Sequence, residues 1–208
     1  MSYKKGPAIC TFSLIRSIIR QNDPSIEITN SELKEILLEE YNELMKENKL
    51  QLLQILQVEG KINDARLVRT GQMTMDNMIM NSEYYMTNLD LWILIKHFNL
   101  PVVLFSATRL TENGLRLLVA HSDGSDKYYF IRSPGRGTKA GHVPKYRIVV
   151  SGNVTEIPLS DIRSPSTREE IRTATEEGIS FESYIHNFSH SNVKEVVKVS
   201  GKRLKKTE

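Results

Sequence analysis

The 208-residue chain has a single cysteine, Cys10. One thiol excludes an internal disulfide framework and any cysteine-rich zinc site, and it suggests a reducing compartment, cytoplasmic or nuclear. No apolar run approaches the roughly 20 residues that a membrane span needs, so no membrane partner is expected. The opening Met1-Ser-Tyr-Lys-Lys-Gly6 lacks the apolar core of a secretory signal. There is no His-Glu-x-x-His, no Gly-x-Ser-x-Gly elbow and no dinucleotide-type glycine fingerprint. His186 and His190 are four apart but have no evident third zinc ligand, so neither metal nor cofactor is expected. Internal repeats are absent. The apolar share of 39% suggests polar loops or a loose tail around one substantial core.

The net charge is small, but basic residues are locally concentrated. The net charge is +3, yet Val193–Glu208 holds Lys194, Lys198, Lys202, Arg203, Lys205 and Lys206 against Glu195 and Glu208, a local +4. The rest of the chain is therefore about −1. A second basic stretch contains Arg132, Arg136, Lys139, Lys145 and Arg147 with no acidic residue between them. Arginine and lysine with glycine between them can follow a phosphate backbone, and Tyr146 could stack on a base. Gly135-Arg-Gly-Thr-Lys139 does not have phosphate-loop spacing. The bland alternative is a solvated basic loop.

The apolar positions fix an order of elements. Pro7 suits a first helical position, and Ile9, Phe12, Ile15, Ile18 and Ile19 recur at helical spacing, so a helix is expected from about Pro7 to Arg20. Thr29-Asn-Ser-Glu32 has capping-box spacing and opens a helix with Leu33, Ile36, Leu37, Leu44 and Met45 on one face. Leu50, Leu53, Leu56 and Ile62 extend it after a kink. Five of the seven methionines lie between Met73 and Met86, a stretch that reads as core rather than as an adaptable binding surface. Thr87-Asn-Leu-Asp90 is a second capping box before the apolar Leu91, Trp92, Leu94 and Ile95, and His97 at its end reads as a packing or capping residue.

The second half turns to strands. Val102–Phe105 is a buried-strand pattern, and Asn113-Gly114 is a hairpin signal joining a segment near Thr108 to Leu115–Ala120. A turn at Ser122–Asp126 leads to Lys127–Ile131, a glycine-rich loop follows over Ser133–Val143, and Tyr146–Val150 is the last clear strand. Ser166-Thr-Arg-Glu169 caps a polar helix ending near Gly178, and 180–188 is a further helical candidate.

Two segments carry a family resemblance. Pro7-Ala-Ile-Cys10-Thr-Phe12 sets a cysteine at a helix start with an aromatic soon after it. Tyr85-Met-Thr-Asn-Leu-Asp90-Leu-Trp92-Ile-Leu-Ile95 precedes Pro101-Val-Val-Leu-Phe105. In this order and spacing, residues 5 to 132 resemble the ovarian-tumour (OTU) type of papain-like cysteine protease, which cleaves ubiquitin from other proteins. The resemblance implies a nucleophilic thiol at Cys10, activated by the amides and dipole of its helix start and by a histidine opening a late strand. The chain departs from the family at both points. Pro7, Ala8 and Ile9 replace the Asp-Gly-Asn before the family cysteine. Lys127-Tyr128-Tyr129-Phe130, read as the His-aromatic strand, has no histidine. His121, ending the strand before, serves only if the hairpin folds back toward Cys10. His142 lies in the glycine-rich loop, and the plain alternative for Cys10 is a small buried core residue.

The expected fold is α/β (α+β): N-terminal helices packed on a small, mostly antiparallel sheet, with a helical C-terminal extension. The expected divisions are 1–155 for the OTU-like domain, 156–190 for the extension and 191–208 for a basic tail. The leading reading is a catalytically degenerate protein-interaction module of a larger, possibly viral protein, with a ubiquitin or ubiquitin-like partner and neighbouring domains of that protein. One alternative is an active deubiquitinating cysteine protease using Cys10 with His121 as base. Another is a nucleic-acid-associated domain using Arg132, Arg136, Lys139, Lys145, Arg147 and the tail.

Overall fold

The computed structural model of the chain describes residues 4–111, 114–134, 144–178 and 180–185. Along it run β1 (Lys4–Cys10), α1 (Thr11–Asn22), α2 (Asn30–Val58), α3 (Ile62–Arg69), α4 (Met75–Ile79) and α5 (Asn88–His97). They are followed by β2 (Val102–Thr111), β3 (Gly114–His121), β4 (Lys127–Arg132), β5 (Lys145–Val150), β6 (Glu156–Pro158) and α6 (Pro165–Glu176). The α/β reading holds, with the helices gathered ahead of a mostly antiparallel sheet.

The first helix begins later than its periodicity suggests. Pro7 lies inside β1, not at the start of α1. Proline has no N–H for a ladder and is tolerated in an edge strand or at a bulge. β1 is such an edge strand, and its register against β5 slips between Lys5 and Ala8. Pairing with a strand some 140 residues away therefore overrides a good local helix signal.

The two capping boxes are present. The Thr29 hydroxyl accepts from the Glu32 amide at 3.2 Å, while the Glu32 carboxylate accepts from the Thr29 amide at 2.7 Å. α2 then runs to Val58 with the expected kink, located at Asn48, where φ is −124° and ψ is 27°. Ile62 is not part of that helix. It starts α3 and is 62% exposed. Gly60 makes the break, because its φ of +106° lies in the region that favours glycine. Met75, Met78 and Met86 are buried, so the methionine stretch is mostly core.

The sheet path is β1-β5-β4-β2-β3, with β6 pairing the first half of β4. β2 and β4 are parallel and all other pairs are antiparallel. The β2–β3 pairing runs out to Thr111 opposite Gly114, bracketing a two-residue connection. Strand alternation sends Val102, Leu104, Tyr129, Ile131, Tyr146 and Ile148 to the face covered by α1, α2, α4 and α5. Val103, Phe105, Tyr128 and Phe130 go to the other face, against Ile157, Leu159 and Ile171 of β6, the following 3-10 turn and α6. α5 is buried from Leu89 to Ile95 and is the central helix of the first layer.

The segment after residue 155 packs on this same core. Beyond β6 and α6, Phe181 and Tyr184 join the main cluster, their rings 5.8 and 5.6 Å from that of Trp92. Residue 155 is therefore not a packing boundary. The cap of α6 is Ser164, two residues earlier than the sequence suggested, with Pro165 at the first helical position. The expected tail 191–208 lies outside the described residues.

Candidate functional site

Cys10 is exposed and serves as the N-cap of α1, as a helix-start thiol should, although it also ends β1. Its cross-strand partner is Lys145, the first residue of β5. The neighbouring position, Tyr146, is buried on the other face and its hydroxyl donates to the Asn88 side chain at 2.9 Å, at the start of α5. Thr11, buried just after the thiol, donates to the Pro144 carbonyl at 3.4 Å. The late strand that opens beside the thiol is thus β5, beginning Lys145-Tyr146, and not β4. An aromatic follows as the resemblance requires, but a lysine stands where it calls for histidine. Because it is buried, Tyr146 is not available to stack on a base.

His121 is not brought to Cys10. It ends β3, which forms the opposite edge of the sheet, four strand spacings from β1. That alone separates the two by about 19 Å. The registers also put them at opposite ends of the strands: His121 pairs with Val102, whereas Cys10 and Lys145 lie beyond the level of Phe105 and Arg132. His121 Nε2 instead lies 2.8 Å from Asn99 Oδ1, and burial moves its pKa below the usual imidazole value. Asn99 takes φ +50° to end α5, so the contact ties the sheet edge to a helix terminus. His97 sits in the last turn of α5, its Nδ1 3.3 Å from Glu40 Oε1 of α2, so of the two roles expected it fills the packing one. His142, His186 and His190 lie outside the described residues.

The predicted basic site is partly assembled. Arg132 and Arg147 are direct cross-strand partners and share a face with Lys145 and Cys10. Arg132 is half-buried, while Lys145 and Arg147 are exposed. Arg136 and Lys139 lie outside the described residues.

A feature missed in the sequence is the polar cluster under the N-terminus of α5. Asp90 is fully buried. One of its carboxylate oxygens accepts from the Tyr41 and Tyr84 hydroxyls at 2.8 and 2.6 Å, and the other accepts from the Thr87 amide at 2.6 Å. Glu59, half-buried as a residue but with its carboxylate inside, accepts from the Tyr184 hydroxyl at 2.7 Å and the Leu89 amide at 3.1 Å. Burial pushes Glu59 up to about 6, against the pull of those hydrogen bonds. Lys61 is 2% exposed, and its ammonium lies 3.2 Å from the Tyr84 ring centroid and 4.7 Å from that of Tyr85. Burial brings Lys61 down to about 8, with Asp90 acting in the opposite direction. Burial likewise raises the hydroxyls of Tyr41, Tyr84, Tyr146 and Tyr184. The cluster holds α2, α5 and residues 180–185 together. The capping box was a visible trace of it, but Tyr41 and Tyr184, which complete it, come from far along the chain.

No group of three or more metal-ligating side chains occurs among the described residues, nor does any helix long and apolar enough to cross a membrane. No protein-family profile, curated protein or solved structure matches the chain.

Proposed function

We propose that the chain is a protein-interaction module built on an OTU-like scaffold whose thiol has lost its proton acceptor, with ubiquitin or a ubiquitin-like protein as partner. The observation that carries this reading is the register of β1 on β5. Thiol catalysis of this type uses an imidazole beside the sulfur as proton acceptor. Lys145 holds that position, and His121 stands at the opposite corner of the sheet. These placements among the described residues favour recognition over cleavage.

The test is incubation of the full chain with ubiquitin bearing a C-terminal electrophile, alongside retention on immobilised ubiquitin. Reversible retention that survives Cys10→Ser, with no covalent adduct, is the expected result. An adduct abolished by Cys10→Ser would establish the active deubiquitinase instead. Failure of both assays would remove ubiquitin as the partner.

A further inference from the structure

The three adjacent strands β1, β5 and β4 form one side of the sheet. Their sequences, Lys-Lys-Gly-Pro-Ala-Ile-Cys, Lys-Tyr-Arg-Ile-Val-Val and Lys-Tyr-Tyr-Phe-Ile-Arg, contain six basic residues and no acidic one. Alternation divides β5 cleanly. Tyr146 and Ile148 enter the helical layer, whereas Lys145 and Arg147 point to the second face. Arg132 joins them there as the cross-strand partner of Arg147. α6 packs on that face at β3, at the far side of the sheet, so the β5 end is left exposed. The carboxylate that the register does bring to β4 is Glu156, opposite Tyr129. It lies three residues, on the order of 10 Å, from Arg132.

We infer that this exposed corner, with Arg132, Lys145 and Arg147 at its centre, binds the phosphate backbone of nucleic acid without reading its sequence. Lys145 and Arg147 are two residues apart on one strand, hence about 7 Å, and Arg147 and Arg132 are about 5 Å apart across the ladder. Three cations held by a hydrogen-bonded sheet are positioned in advance for a row of phosphates. Arginine adds planar, two-pronged recognition of phosphate oxygens. The corner presents no exposed aromatic or aliphatic anchor among the described residues, and protein interfaces draw most of their affinity from such anchors. Counterion release is then the principal source of affinity, which favours a densely charged polymer over an acidic protein. Contacts to phosphate carry no sequence information, so binding without sequence preference is expected.

Labelled single-stranded oligonucleotides of two unrelated sequences, titrated with the full chain by fluorescence anisotropy between 50 and 200 mM salt, test this. Equal affinity for the two sequences is expected, with a log–log salt slope of about −2 or steeper, from about 0.7 per phosphate contact on a single strand. Lys145→Glu combined with Arg147→Gln should make the slope shallower by about 1.4, a loss of roughly sevenfold in salt sensitivity over that fourfold range. Arg147 has contacts of its own, so Lys145→Glu combined with Arg132→Gln is a second variant, and thermal melts confirm that each folds. No binding at 50 mM salt would overturn the inference. So would binding that both variants leave intact but that is lost on changing Lys202, Arg203, Lys205 and Lys206 to Gln. Tighter binding to polyglutamate or to phosphatidylserine vesicles would likewise reassign the corner to an acidic protein or a membrane surface.

Discussion

Asp90 is fully buried and accepts hydrogen bonds from two tyrosines and a backbone amide, so its removal strands several donors at once. Asp90→Ala is expected to cost roughly 3–5 kcal/mol in urea unfolding, and Tyr41→Phe about 1–2 kcal/mol. A loss under about 1 kcal/mol for Asp90→Ala would mean that the cluster is not formed. Glu59 gives a pH signature. Its folded value of about 6 lies above its ordinary value of 4.5, so the folded state binds the proton more tightly. Its contribution is fully present below pH 4.5 and disappears as pH rises through 6, leaving an ionised buried carboxylate that costs about 2 kcal/mol at pH 7. The stability of Glu59→Gln relative to the natural chain should therefore rise between pH 4.5 and 6, followed by thermal melts. A flat difference would contradict the burial of that charge. At this scale the sequence was partly legible. Three-residue spacing revealed Thr87 and Asp90, but Tyr41 reaches Asp90 from 49 residues away, and no local pattern announces that. Cys10 was legible as a helix start, whereas its exposure, and the lysine beside it, depend on a strand near residue 145.

Elements governed by local signals came out as expected: both capping boxes, the kink in α2, the apolar α5, the β2–β3 hairpin and the strands at 127 and 145. Those governed by distant partners did not. β1 was read as the first turn of α1 because Pro7 fits a helix start as well as an edge strand, and only the pairing with β5 decides between them. β6 is three residues long, too short for alternation to show. Residues 156–190 read as an extension because their apolar density is low. Five of their apolar residues, Ile157, Leu159, Ile171, Phe181 and Tyr184, are nevertheless buried on one face of the sheet or the other. Phe181→Ala should consequently destabilise the whole chain by about 3 kcal/mol, read as a single shifted unfolding transition. If only residues after 178 became protease-sensitive, with the main transition unmoved, the segment would be an appendage after all.

The order of strands sets the distances between chemically capable side chains across the molecule, and that order is invisible in sequence because each pairing is long-range. Placing β5 and β4 between β1 and β2 sends Cys10 and His121 to opposite corners, and gathers Lys145, Arg147 and Arg132 around the thiol. The proposed loss of proteolytic chemistry and the proposed polyanion corner both follow from that arrangement. Because Cys10 is the only native cysteine, one substitution, His121→Cys, supplies a second spin-label site. Pulsed electron–electron resonance on the doubly labelled chain should give a separation on the order of 25 Å, from four strand spacings and about five residues of strand length. A distribution centred below about 12 Å, within reach of a thiol–imidazole pair once label linkers are allowed for, would place the two residues in one site and contradict the arrangement.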